Sequence, residues 1–135
     1  MTTTSTQRSA DARVADARQA IDLDSALARV DGDSELLVEV LDMFAEQSVQ
    51  LLGELETGLT ARDDEAVYRH AHTLKGSASS ISAAAVEAAA LRIEMAGRQG
   101  DFAGAQALLP TLKRAIADAA TAIGPLKQVL SRTAT

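Results

Sequence analysis

The stretch Ala71–Ala83 reads AHTLKGSASSISA, with a histidine, a lysine and a glycine inside two helical turns. At about 100° per residue, Val67, Ala71, Leu74, Ala78 and Ile81 fall within roughly 80° of one another. Their spacing alternates between four and three, which makes them the buried stripe of an amphipathic helix. His72 lies about 140° from the centre of that stripe, on the water side. Lys75, Gly76 and Ser79 lie near it at i+3, i+4 and i+7, and Tyr68 lies one turn before it. His70 falls about 60° from the centre, on the flank of the buried face.

An outward, neutral imidazole is a good nucleophile near neutral pH, because its reference pKa is about 6.5. Lys75 offers a positive charge one turn along, where a phosphoryl group on the ring can use it. Gly76 removes a side chain beside the ring and so gives a bulky partner room to approach. A glycine inside a helix costs roughly 1 kcal/mol relative to alanine, so its presence asks for a reason. Each of these readings has a plain alternative: a surface histidine, a solvated lysine, a packing glycine. Ser79 divides evenly between solvent and site, and Tyr68 also reads as an edge residue of the core. Side chains on a helix lean toward its N-terminus, so the His72 ring should lean toward Tyr68. His70 and His72 point about 200° apart and cannot share one metal ion.

Outward from this helix the chain is helical in pattern. Residues 1–20 read as a flexible tail, Ser- and Thr-rich at first, with a helical extension open over 11–20. Ile21, Leu23, Leu27 and Val30 suit a short helix, broken at Asp31-Gly32-Asp33. Asp33 or Ser34 then caps a long helix over Glu35 to Leu59, with a three-four stripe interrupted only by Ser48. Ser82 is the expected N-cap of the next helix, which runs to Gly97 with Val86, Ala90, Ile93 and Gly97 on one face. Asp101 caps the last helix, whose stripe runs from Phe102 to Ile123. Pro110 predicts a bend near Gln106 to Leu109, and Gly124-Pro125 predicts the stop. Residues 127–135 then form a C-terminal tail.

Composition narrows the function classes. Strand-type alternation is nowhere sustained, and only Phe44, Tyr68 and Phe102 are aromatic, so the core is Leu, Ile, Val, Met and Ala. The net charge of −6 argues against a nucleic-acid groove or an anionic membrane surface. With no cysteine there is no disulfide and no thiolate metal site. The N-terminus lacks a signal-peptide pattern and no apolar run is long enough to span a bilayer, which makes the cytoplasm the expected location. There is no Gly-rich phosphate loop, so the chain has no visible means of phosphorylating a histidine from ATP.

The segment A-H-T-L-K-G-S resembles the signature of histidine-containing phosphotransfer (HPt) domains, the phosphorelay intermediates of two-component signalling. Gly32-Asp33 followed by Glu35, Leu36, Leu37 and Phe44 is similar to the family's segment before the histidine helix. The likeness spans residues 21–126, and Ser82-Ala83 stand where the family often has Gly-Ala. It implies an all-α, antiparallel up-down four-helix bundle with a short additional N-terminal helix. It implies a phosphoryl carrier, not a kinase, that accepts the group on His72 from an aspartyl-phosphate receiver domain and passes it to another. The reacting nitrogen would be Nε2, with Lys75, Gly76, Ser79 and Tyr68 as supports. No cofactor is expected on the chain itself, since the Mg²⁺ belongs to the receiver. The implied partners are response-regulator receiver domains and a hybrid sensor kinase, with the chain a monomer. The competing reading is a helical adaptor that docks on receivers or kinases without transferring phosphate.

Overall fold

The computed structural model describes residues 5–133. Among them are six α-helices and no strand: α1 (Ser5–Ala20), α2 (Leu23–Arg29), α3 (Ser34–Thr60), α4 (Asp64–Ser80), α5 (Ala84–Arg98) and α6 (Phe102–Thr133). The expectation of five helices is therefore corrected to six. Residues 5–20 are helical, and only residues 1–4 of the expected N-terminal tail lie outside the described residues.

Four helices start as an acidic cap dictates. The carboxylates of Asp22, Asp33 and Asp63 each accept from the backbone N–H three residues on, at 3.1 Å. Asp101 accepts from Gly104 N–H in the same way at 2.8 Å. Each such bond satisfies one of the donors a helix start leaves open, typically about 1 kcal/mol. The start of α5 departs from expectation. Ala83, not Ser82, precedes it, and no side chain caps it. Ser82 sits at φ +56, closing α4 with Ala83 N–H donating to the Ala78 carbonyl. That left-handed backbone turns the hydroxyl away from α5. It donates instead to Ser25 Oγ at 2.8 Å and accepts from Arg29 Nε at 3.2 Å, tying α2 to the α4–α5 corner.

Helices α3 to α6 pack around one core, α3 against α4 and α6, α5 against α4 and α6. Cross-helix pairs give the directions. Gln47 meets Ser77 and Glu54 meets His70, so α3 and α4 are antiparallel. Lys127 meets Asp42 and Lys113 meets Glu56, so α3 and α6 are antiparallel too. Leu37, Leu41, Phe44 and Leu55 of α3 bury against Val67, Ala71 and Leu74 of α4 and Leu112 of α6 in one cluster. Ser48, the polar interruption, is buried but donates to the Ala45 carbonyl of its own helix at 3.3 Å.

The largest difference from the sequence expectation is at the C-terminal end. Gly124-Pro125 does not stop α6, which runs to Thr133 through both Pro110 and Pro125. Residues 127–133 of the expected tail are thus helical, and 134–135 lie outside the described residues. Leu126 and Leu130 are fully buried and continue the stripe of Ile116, Ala119 and Ile123. Their burial, about 1.5–3 kcal/mol for each leucine, offsets the backbone bond that a proline removes. α1 packs on the same helix, with Ala17 buried and Ile21 sealed just beyond its end.

Candidate functional site

The site sits where α4 and α5 run side by side. Their approach depends on a missing side chain: a Cβ on Gly97 would lie 3.0 Å from the Tyr68 backbone nitrogen and 3.1 Å from Val67 Cγ1. Glycine thus lets the α5 backbone close on α4 one turn before His72. With the helices this near, Glu94 of α5 reaches across to α4.

Glu94 is the centre of the arrangement. Its side chain is 4% exposed, and its two oxygens are divided between two partners on α4. Oε1 lies 2.5 Å from His72 Nδ1, and Oε2 accepts from Lys75 Nζ at 2.8 Å. Burial pushes the Glu94 carboxyl up, but the hydrogen bonds and charges of Lys75 and His72 outweigh it and hold the group below its ordinary value. An ionised carboxylate can only accept, so His72 Nδ1 carries the proton and donates. In the neutral ring that tautomer leaves the lone pair on Nε2. Nε2 has no protein partner among the described residues, and the His72 side chain is 56% exposed. The arrangement is an oriented imidazole with a nucleophilic nitrogen toward solvent.

The other expected site residues take distinct places. Tyr68 stacks on His72 with ring centroids 5.9 Å apart and planes inclined by 27°. Lys75 is half-buried and committed to Glu94, so its charge serves first to keep that carboxylate ionised. Gly76 is open: a Cβ there would meet nothing within 4 Å. Ser79 is half-buried, and no hydrogen bond joins its hydroxyl to the cluster. His70 is 18% exposed and pairs through Nδ1 with Glu54 of α3 at 3.0 Å, on the other flank of α4.

Two residues of this site escaped the sequence reading. Arg98 sits over Tyr68, its Cζ 4.5 Å from the ring centroid, and its Nη2 donates to the Tyr68 hydroxyl at 2.7 Å. Glu94 had a legible signal. It stands at i+4 from Ala90 and i+8 from Val86, in line with the buried face of α5. A carboxylate in such a row must find a cation or a donor on a neighbouring helix. Arg98 had a misleading one, since its i+4 spacing from Glu94 suggests an ion pair within α5. The structure gives Glu94 to α4 and Arg98 to Tyr68.

Comparison with known proteins bears on the family and the fold. The family model described as "Hpt domain" matches residues 39–122. The chain belongs to the Hpt-domain family, and with it to histidine phosphotransfer in two-component phosphorelay signalling. Among solved structures it is similar to histidine-containing phosphotransfer protein B (HptB) from Pseudomonas aeruginosa PAO1. The TM-score is 0.76 at 24% identity, covering 82% of this chain and 96% of that one. At that identity the likeness is one of fold. The comparison with curated proteins returned no match.

Proposed function

We propose that the protein is a phosphorelay intermediate in which His72 carries the phosphoryl group between receiver domains. The observation that supports this best is the hold on His72: Nδ1 donates to a buried carboxylate while the ring edge bearing Nε2 faces solvent. The Nε2 lone pair attacks the phosphorus of an aspartyl phosphate on the receiver. The phosphorus–oxygen bond to aspartate breaks and the aspartate leaves as a carboxylate. The proton on Nδ1 stays where it is, so the phosphorylated ring is cationic and the Glu94 carboxylate beside it offsets that charge. Return to a second receiver is the same step reversed. The Mg²⁺ that such transfer uses belongs to the receiver, and the chain acts as a carrier without kinase activity of its own. A cytoplasmic monomer is the setting we assign. Among the described residues no helix is long and apolar enough to cross a membrane.

Docking would use the surface around His72. Gly76 keeps the approach clear. Leu36 and Met43 on α3 are exposed, and Met43 precedes by one turn the Gln47 that touches Ser77 of α4. On α5, Leu91 and Met95 are exposed, each three residues before a member of the cluster, Glu94 and Arg98. Apolar side chains on both flanks of an exposed histidine suit a small, transient interface.

The test uses a receiver domain charged with acetyl phosphate and Mg²⁺. The wild-type chain should acquire an acid-labile, base-stable phosphoryl group, and His72→Gln should fold and acquire none. Full labelling of His72→Gln sinks the assignment. A stable complex with the receiver and no labelling of the wild type supports the adaptor reading instead.

A further inference from the structure

His72 is held from two directions. Glu94 fixes the ring through Nδ1, which constrains its edge but leaves rotation about that hydrogen bond. The second constraint is a stack. Tyr68 covers His72 from one turn before it on α4, and Arg98 covers Tyr68 from α5. The stack is anchored at its far end, because the Arg98 guanidinium both lies over the Tyr68 ring and donates to its hydroxyl. Arg98 has no carboxylate within ion-pair distance among the described residues, so Tyr68 is its one engagement. A cation on a ring face is attracted by the ring's electron density, and the charged hydrogen bond adds to that hold. Gly97, next to Arg98, is where α5 comes within contact of the Tyr68 backbone. Gly97, Arg98 and Tyr68 therefore form one unit that ends on the imidazole.

We infer that Tyr68 and Arg98 are positioning residues for phosphotransfer: together they set the plane of the His72 ring so that Nε2 points along one line of attack. This rests on the phosphorelay reading above. In-line displacement tolerates little misalignment, and about 1 Å of misplacement can cost a hundredfold in rate. Tyr68 supplies the ring contact, and Arg98 acts through Tyr68.

The unit is testable because its effect should fall on the rate of the chemical step and not on docking. Transfer from the charged receiver is measured in single turnovers over a range of receiver concentrations, giving a maximal rate and an apparent Kd. Tyr68→Ala should lower the maximal rate about tenfold or more and leave Kd within about twofold. Tyr68→Phe keeps the stack and loses the hydroxyl, so it should recover most of the rate. Arg98→Ala should fall between the two. A structural reporter accompanies the kinetics and needs no phosphate. The ring protons of His72 should show an aromatic ring-current shift in the NMR spectrum of the wild type, retained in Tyr68→Phe and lost in Tyr68→Ala. The inference is overturned if Tyr68→Ala transfers at the wild-type maximal rate. It is overturned equally if the whole loss lies in Kd, which would make Tyr68 a docking contact, or if the wild-type ring protons show no such shift. Failure of the wild type to be labelled at all is a different result, which removes the phosphorelay reading itself.

Discussion

Two glycines of the site region have opposite surroundings, and their substitutions separate clearance from packing. Gly76 faces open space, whereas a Cβ on Gly97 would press tightly against the Tyr68 backbone and the Val67 side chain of α4. Gly76→Ala should raise stability by up to about 1 kcal/mol, since alanine is the better helix former and restricts the unfolded chain. Transfer should nonetheless slow from Gly to Ala to Gln at this position, as added atoms stand in the path of the aspartyl phosphate. Gly97→Ala should cost roughly 1–3 kcal/mol through overpacking, or push α5 away from α4. Thermal melts together with single-turnover transfer read both effects. Early melting of Gly76→Ala would mean that this glycine serves the core, and an unchanged melt for Gly97→Ala would mean that the helices have slack.

At the scale of the element, α6 shows how tertiary contact overrides local preference. Proline ordinarily disrupts a helix interior at a cost of about 3 kcal/mol. Pro110 is exposed, and so is Gln106, so the carbonyl that loses its donor lies on the solvent side, open to hydration. Past Pro125, the leucines at 126 and 130 reach the core and α3 supplies Asp42 to Lys127. If that last segment is part of the bundle, Leu130→Ala should lose about 2–5 kcal/mol, as for any buried leucine. A denaturant titration checks this, and a midpoint unchanged by the substitution would assign residues 127–133 to a dispensable extension.

For the whole molecule, the buried carboxylate links stability to pH. The Glu94 carboxyl is lowered from an ordinary value of 4.5, so in acid the unfolded chain takes up its proton before the folded one does. The stabilisation it provides is fully present above 4.5 and is lost as pH falls through the lower, folded value. Glu94→Gln lacks this charge. It should therefore be less stable than the wild type at pH 7, and the gap should narrow as pH falls below 4.5. Unfolding midpoints of the two proteins at a series of pH values measure the gap. A constant gap into acid would show that Glu94 is not held ionised by its partners. The same variant should impair phosphotransfer at neutral pH, because a glutamine amide can orient the ring without offsetting its charge once phosphorylated.

The sequence by itself determined what local pattern can encode. The three-four stripe through Val67, Ala71, Leu74 and Ala78 placed these residues in the core and His72 outside it, and all four are fully buried. The caps at Asp33 and Asp101 were legible because each contact spans three residues. His72, Lys75, Gly76 and Tyr68 were legible as neighbours because i+3 and i+4 spacing fixes adjacency on one helix. Only the tertiary structure decided what bridges two helices. Glu94 lies 22 residues from His72 and 19 from Lys75, and no periodicity within α4 points to it. Ser82 was misassigned as a cap for the same reason: its backbone sign is set by how α4 turns into α5, and its hydroxyl partners lie more than 50 residues away. The end of α6 was misplaced because helix-breaking is a local cost, while the burial that outweighs it depends on neighbours a linear pattern does not name. Local geometry set His72 on the exposed face of α4, and the packing of α5 on α4 decided which of its nitrogens is engaged.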